Sequence, residues 1–261
     1  MSVRMVLLAT ALLLARPAFA TDSAPSGANP CRPSLPTIRS LWQHDLYDAP
    51  PAAAAVLVDA IDGNLARVRR SLAALPPSGR TRWRQLAMLT AAWSYQPAVV
   101  DGLLDDGATA DGTAWLPPLK AAFYQQTLDR IGRDPRLGGP NVVEALQSAG
   151  VVHDRRQRLG PALLAAVVCD DVATLDVLLR HHANIMARPA PNAADALTTA
   201  VVEGHAAIVR HLLDHDADVC ADDRRIRKPG ATLASIGQRN GLPPLLVARL
   251  ACHAPDRPRS G

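Results

Sequence analysis

An all-α fold, built as a stack of about five repeated helix pairs and closed by a C-terminal capping pair, is predicted by three observations. First, residues 160–187 and 194–221 carry one apolar pattern at a shift of 34 positions. Leu163 falls on Leu197, Ala166 on Ala200, Leu175 on Val209, Leu178 and Leu179 on Leu212 and Leu213, Ala183 on Ala217, and Ile185 on Val219. Second, 48% of the 261 residues are hydrophobic but only 3% are aromatic, which suits thin layers of Ala and Leu better than one thick core. Third, turn signals such as Gly63-Asn64, Pro76-Pro77 and Asn240-Gly241 punctuate the helical periodicity. A single helix pair cannot bury its apolar face alone, so repetition of the pattern implies stacking.

The elements follow in order. Residues 1–20 carry Arg4, an apolar run from Met5 to Ala15 and a closing Ala18-Phe19-Ala20, the layout of a cleaved secretion signal. The run falls short of the roughly 20 residues a spanning helix needs, and Arg16 with Pro17 interrupts it. No Cys directly follows it, so lipid attachment is not expected. The expectation is a periplasmic protein with no membrane insertion after cleavage. Residues 21–48 form an irregular leader, rich in Pro, Ser and Gly at first, with a short helix possible from Thr37 to Tyr47. The repeat domain occupies 49–252, and 253–261 is a disordered tail.

Within the domain, residues 56–72 give a first helix pair turning at Gly63-Asn64, with Val68 and Leu72 facing inward. A second unit spans 86–110 and retains Ala91, Val99-Val100, Leu103-Leu104 and Gly107-Ala108. The third runs from Pro117-Pro118-Leu119 to Gly150, with an insertion near 128–140 whose Gly138-Gly139-Pro140 forces a loop. The 34-residue pair supplies the fourth and fifth units. Beyond it, Asn240-Gly241 turns the chain, and Leu245, Leu246 and Leu250 form the apolar side of a closing helix.

The fifth unit carries Leu197, Ala200, Gly204, His205, Ile208, Val209, Leu212, Leu213, Ala217, Asp218 and Val219. In these residues the chain resembles the ankyrin-repeat family, over roughly 50–252. Thr198 stands where that pattern has His, and Asp216 where it has Gly. Loss of the His removes a hydrogen-bonding clip between neighbouring units, which predicts less rigid repeats. The resemblance implies an ankyrin solenoid that binds a protein along its concave face. The two positions after each alanine pair would point into that face: Ile61, Trp93, Tyr124, Val168 and Val202, then Asp62, Ser94, Gln125, Cys169 and Glu203. Trp93 and Tyr124 are the expected anchors, unless they pack beneath the insertion of the third unit.

Charge adds a second pattern. Arg80, Arg82, Arg84, Arg155, Arg156, Arg158, Arg188, Arg224, Arg225, Arg227 and Lys228 fall in segments expected to form protruding hairpins, while Asp105, Asp106, Asp214, Asp216 and Asp218 gather near ends of outer helices. A basic fingertip edge would steer a partner with an acidic patch, whereas the plainer meaning of such runs is a solvated surface. The formal net charge of +4 falls to about +2 once Arg4 and Arg16 leave with the signal, so overall charge names no partner. Nucleic acid is not expected without a basic helix or aromatic platform, and a monomer is expected.

Cys31, Cys169, Cys220 and Cys252 allow three pairings. Cys220 with Cys252 is preferred, as a crosslink at the C-terminal end of the stack. The alternative is four buried thiols acting as small apolar residues. No hydrolase, metalloprotease or phosphate-loop motif occurs, so neither enzymatic activity nor a cofactor is expected. His211 and His215 lie i, i+4 on one helix, a spacing that can hold a transition metal. They support a competing expectation of a stress-protective or metal-handling envelope protein. The leading one is a recognition module, with an inhibitor or immunity protein as one form.

Overall fold

The structure, a computed structural model, describes residues 31, 39, 47–117, 129, 132–133, 158–188, 194–220 and 232–252. It is mostly helical, and the chain forms two compact units: residues 1–108 with 113–159, and residues 109–112 with 160–261. No described helix is long and apolar enough to cross a membrane.

The first unit contains α1 (Pro51–Ile61), α2 (Leu65–Ala73), α3 (Pro77–Trp93) and α4 (Pro97–Asp105). α1 and α2 pair as a hairpin, as do α3 and α4, and the hairpins stack with α1 on α3 and α2 on α4. Pro51, Pro77 and Pro97 each stand in a first turn, where the ring fixes φ at a helical value and the missing N–H has no intrahelical acceptor to lose. Asn64 caps α2 by accepting from the Arg67 N–H at 3.0 Å. α2 buries only Val68 and Leu72, the inward pair expected from the sequence. α3 instead buries an unbroken run from Leu86 to Ala92. Thr90 fits that run because its hydroxyl donates to the Leu86 carbonyl at 2.8 Å.

α3 departs from the sequence reading at its start. Pro76-Pro77 is a turn signal in the sequence, which puts Arg80, Arg82 and Arg84 in a protruding hairpin. Pro77 nucleates the helix instead, and all three arginines lie on α3. A short antiparallel pair was also not foreseen. β1 (Ala114–Trp115) pairs with β2 (Arg158–Leu159), Ala114 opposite Leu159. Two residues per strand are too few to show a period. Trp115 stands 47% exposed there.

The second unit contains α5 (Ala162–Val168), α6 (Val172–Arg180), α7 (Ala196–Glu203), α8 (Ala206–Asp214), α9 (Leu233–Arg239) and α10 (Pro244–Arg249). These form three hairpins in two layers, with α7 against α5 and α9, and α8 against α6 and α10. The repeat seen in sequence is geometric. α7 begins 34 residues after α5 (196 against 162), and α8 34 after α6 (206 against 172). The following turns repeat as well. Asn184 accepts from the Met186 N–H at 2.9 Å and Asp218 from the Cys220 N–H at 2.8 Å, one Asx turn at the same step.

Left-handed residues mark the repeats in both units. Between the helices of successive hairpins stand Gly63, Tyr95, Asp170, Gly204 and Gly241, and after second helices Gly107, His182 and Asp216, all at positive φ. In the closing pair, Leu246 and Leu250 are buried as expected, but Leu245 is 83% exposed. α10 is only six residues long and offers one narrow apolar stripe, which Leu246 and Leu250 occupy.

Cys220 and Cys252 form a disulfide, with Cα atoms 5.1 Å apart, and tie the turn after α8 to the end of α10. Cys31 and Cys169 are also disulfide-bonded. The alternative of four buried thiols is therefore set aside.

Candidate binding surface

The ends of the first helices carry the candidate residues. In the second unit Val168 closes α5 and Val202 stands one residue before the end of α7, equivalent places 34 residues apart. Val168 is half-buried and Val202 is 50% exposed, with Glu203 exposed beside it. A large apolar side chain half in water at a helix end costs hydrophobic free energy that a partner recovers by covering it. In the first unit Trp93 closes α3 half-buried. Its counterpart Ile61 is buried and faces the core.

The second column differs more. Asp62 and Glu203 are exposed. Cys169 is fully buried and oxidised in a disulfide, so it offers no surface. Ser94 is buried, and its hydroxyl has no hydrogen-bond partner among the described residues. Tyr124, Gln125, Arg155, Arg156, Arg224 and Arg225 lie outside the described residues, as does the insertion at 128–140.

Of the hairpin arginines, Arg188 is described, and it is drawn into the fold rather than held at a free tip. Its guanidinium donates to Asp195 at 3.0 Å, and the Asp195 side chain is 2% exposed. Asp195 also caps α7 by accepting from the Thr198 N–H at 2.9 Å. A carboxylate at a helix N-terminus, paired with an arginine, has its burial offset twice. Arg80 is likewise engaged, donating to the Leu75 and Ala73 carbonyls at 2.8 Å each. The Ala73 carbonyl is an orphan at the end of α2, where a cation is favoured, and Leu75 follows two residues later.

The hairpins are clipped together by residues that sequence reasoning did not single out for that task. Gln96 donates from Nε2 to the Ile61 carbonyl at 3.0 Å. His205 Nδ1 meets the Val167 carbonyl at 2.8 Å. Asn240 donates to the Val201 and Val202 carbonyls at 3.1 and 2.7 Å. Each clip reaches from a hairpin turn to the last turn of the preceding first helix, just behind the candidate surface. Gln96 and His205 stand at the N-cap positions of α4 and α8 and cap neither helix with their side chains. Asn64 and Asp171, at the same position of α2 and α6, cap their own helices. The signal was in the sequence: a long polar side chain where a short capping residue is usual.

The outer helices hold the histidine pair. His211 on α8 is paired with Asp176 on α6. His215 Nδ1 meets the His211 carbonyl at 2.9 Å, with the two rings 5.2 Å apart. No group of three or more metal-ligating side chains occurs among the described residues.

No family model matches the chain, and no curated protein matches it in sequence.

Proposed function

We propose that this chain is an ankyrin-repeat protein of the bacterial envelope that works by recognition rather than catalysis. It binds another protein through the ends of its first helices. The observation that carries this reading is the recurrence of an unburied apolar residue at one register position, Val168 and then Val202, beside exposed Glu203. Stacked hairpins at a 34-residue step support the family. The disulfides support a protein made for an oxidising compartment, the periplasm, reached by way of the signal at 1–20.

In this reading Trp93, Tyr124 and Gln125 in the first unit, and Val168, Val202 and Glu203 in the second, are each partner-contacting residues, and Arg155, Arg156, Arg224 and Arg225 steer an acidic partner. A protein that blocks a secreted toxin is one form such a module takes. The test is affinity capture from an envelope extract by the full chain and by a Trp93→Ala, Val202→Ala variant. The wild type should retain a partner that the variant loses, while both melt at similar temperatures. Equal recovery by both would remove this surface from consideration.

A further inference from the structure

Asn240 ends α9 at the turn into α10 and reaches back to α7. Its Nδ2 donates to the Val201 carbonyl at 3.1 Å and to the Val202 carbonyl at 2.7 Å. The turn after α7 closes on itself through the Gly204 and His205 N–H groups, which reach the Val201 and Ala200 carbonyls at 3.3 and 3.0 Å. The Val202 carbonyl is one of the orphan acceptors of a helix end, and the donor that meets it comes from the next hairpin. This clip differs from the other two. Gln96 holds the carbonyl of Ile61 and His205 that of Val167, both buried residues. Asn240 holds the carbonyl of Val202, whose side chain stands 50% exposed.

Asn240 is itself firmly placed. Its N–H donates to the Ile236 carbonyl at 3.0 Å. The facing turn has room for it because residue 204 is glycine: a Cβ there would stand 3.0 Å from the Asn240 carbonyl oxygen. A Cβ on Gly237 would meet Leu242, Leu250 and Val201 at 2.9, 3.1 and 3.6 Å, so α9 lies close between α7 and the leucines of the closing pair. The disulfide of Cys220 and Cys252 ties the end of that pair to the turn after α8.

We propose that Asn240 is a positioning residue for recognition, fixing the last turn of α7 so that Val202 is set in place before a partner arrives. A helix end frays when its carbonyls lack donors, and an apolar contact already ordered in the free protein loses less entropy on binding. This assignment deepens the recognition reading and rests on it.

The test uses the full chain and, as the probe, the protein that the wild type retains from an envelope extract, purified and labelled. Asn240→Ala and the isosteric Asn240→Asp, which loses the donor, should each weaken binding of that protein about fivefold or more. Asn240→Gln should keep part of the affinity. In a Val202→Ala background, Asn240→Asp should weaken binding no further, because the two residues act as one unit. A role in stability alone would leave the affinity of the folded protein unchanged. Unchanged binding in both Asn240→Ala and Asn240→Asp, or an equal loss with and without Val202, would overturn the assignment. The two readings fail separately. Weaker binding in Val202→Ala with none in the Asn240 variants rejects Asn240 alone. No protein retained by the wild type, or binding by Val202→Ala equal to the wild type, rejects the surface.

Discussion

Asp216 and Gly204 are opposite answers to one backbone demand. Both stand in the left-handed region, Asp216 at φ 60° and Gly204 at φ 76°. An L side chain pays roughly 1–2 kcal/mol there, somewhat less for Asp, whose short polar chain tolerates it. Asp216→Gly should therefore stabilise the protein by about 0.5–1 kcal/mol in chemical denaturation. Gly204→Ala should destabilise it by about 2 kcal/mol, because its Cβ would also stand 3.0 Å from the Asn240 carbonyl oxygen in the next hairpin. Gly63 repeats the arrangement against Gln96. The sequence marked Asp216 as standing in a glycine position, so this strain was legible. The ion pair of Arg188 with Asp195 was not, because nothing in an arginine's place along the chain says whether an acid will be buried beside it. Arg188→Ala should cost about 3 kcal/mol, since it leaves a carboxylate desolvated without its cation. Tyr47 gives a pH-dependent signature. Burial pushes its phenol up to about 12 from 10.0, so the fold favours the protonated form. That contribution is complete below about pH 10 and is lost as pH rises through about 12, at up to about 1.4 kcal/mol for each pH unit. Tyr47→Phe should flatten this alkaline slope in a stability titration.

Elements were legible where a period had room to repeat. The second unit's paired helices were readable from the 34-residue shift, because each stacked hairpin must present the same apolar positions to its neighbours. The second unit's apolar pattern begins at Leu86, yet α3 begins at Pro77. A proline pair followed by Ser-Gly looks like a break, but Pro at the first helical position is a start signal as well. The missing consensus histidine suggested looser repeats, whereas Gln96, His205 and Asn240 clip the hairpins from a different position. His205→Ala should cost about 1–2 kcal/mol, with faster amide exchange at the end of α5 as the site-specific readout. In the outer layer, Asp106 and Asp214 sit unfavourably at helix C-termini. Arg69 holds the first, and Arg249 pairs with the second at 2.8 Å across α8 and α10.

For the molecule as a whole, the C-terminal crosslink sets how the stack ends. Cys220 and Cys252 close a loop across 32 residues of separation, worth about 3–4 kcal/mol in the chain-entropy account. Reduction, or Cys220→Ala with Cys252→Ala, should lower the melting temperature and free α9 and α10 first, seen as early proteolysis in that region. The candidate surface was only partly legible. Alignment of repeats found Val168, Val202 and Trp93 by register, but register does not report depth, so Ile61, Ser94 and Cys169 turned out buried. The most direct measurement is photo-crosslinking in an envelope extract, with a photoreactive side chain placed at Val202 on the candidate face or at Arg210 on the outer helix α8. A discrete adduct with one protein from position 202, and none from 210, is the predicted result. An adduct from 210 alone, or the same adducts from both, would contradict binding at the first-helix ends.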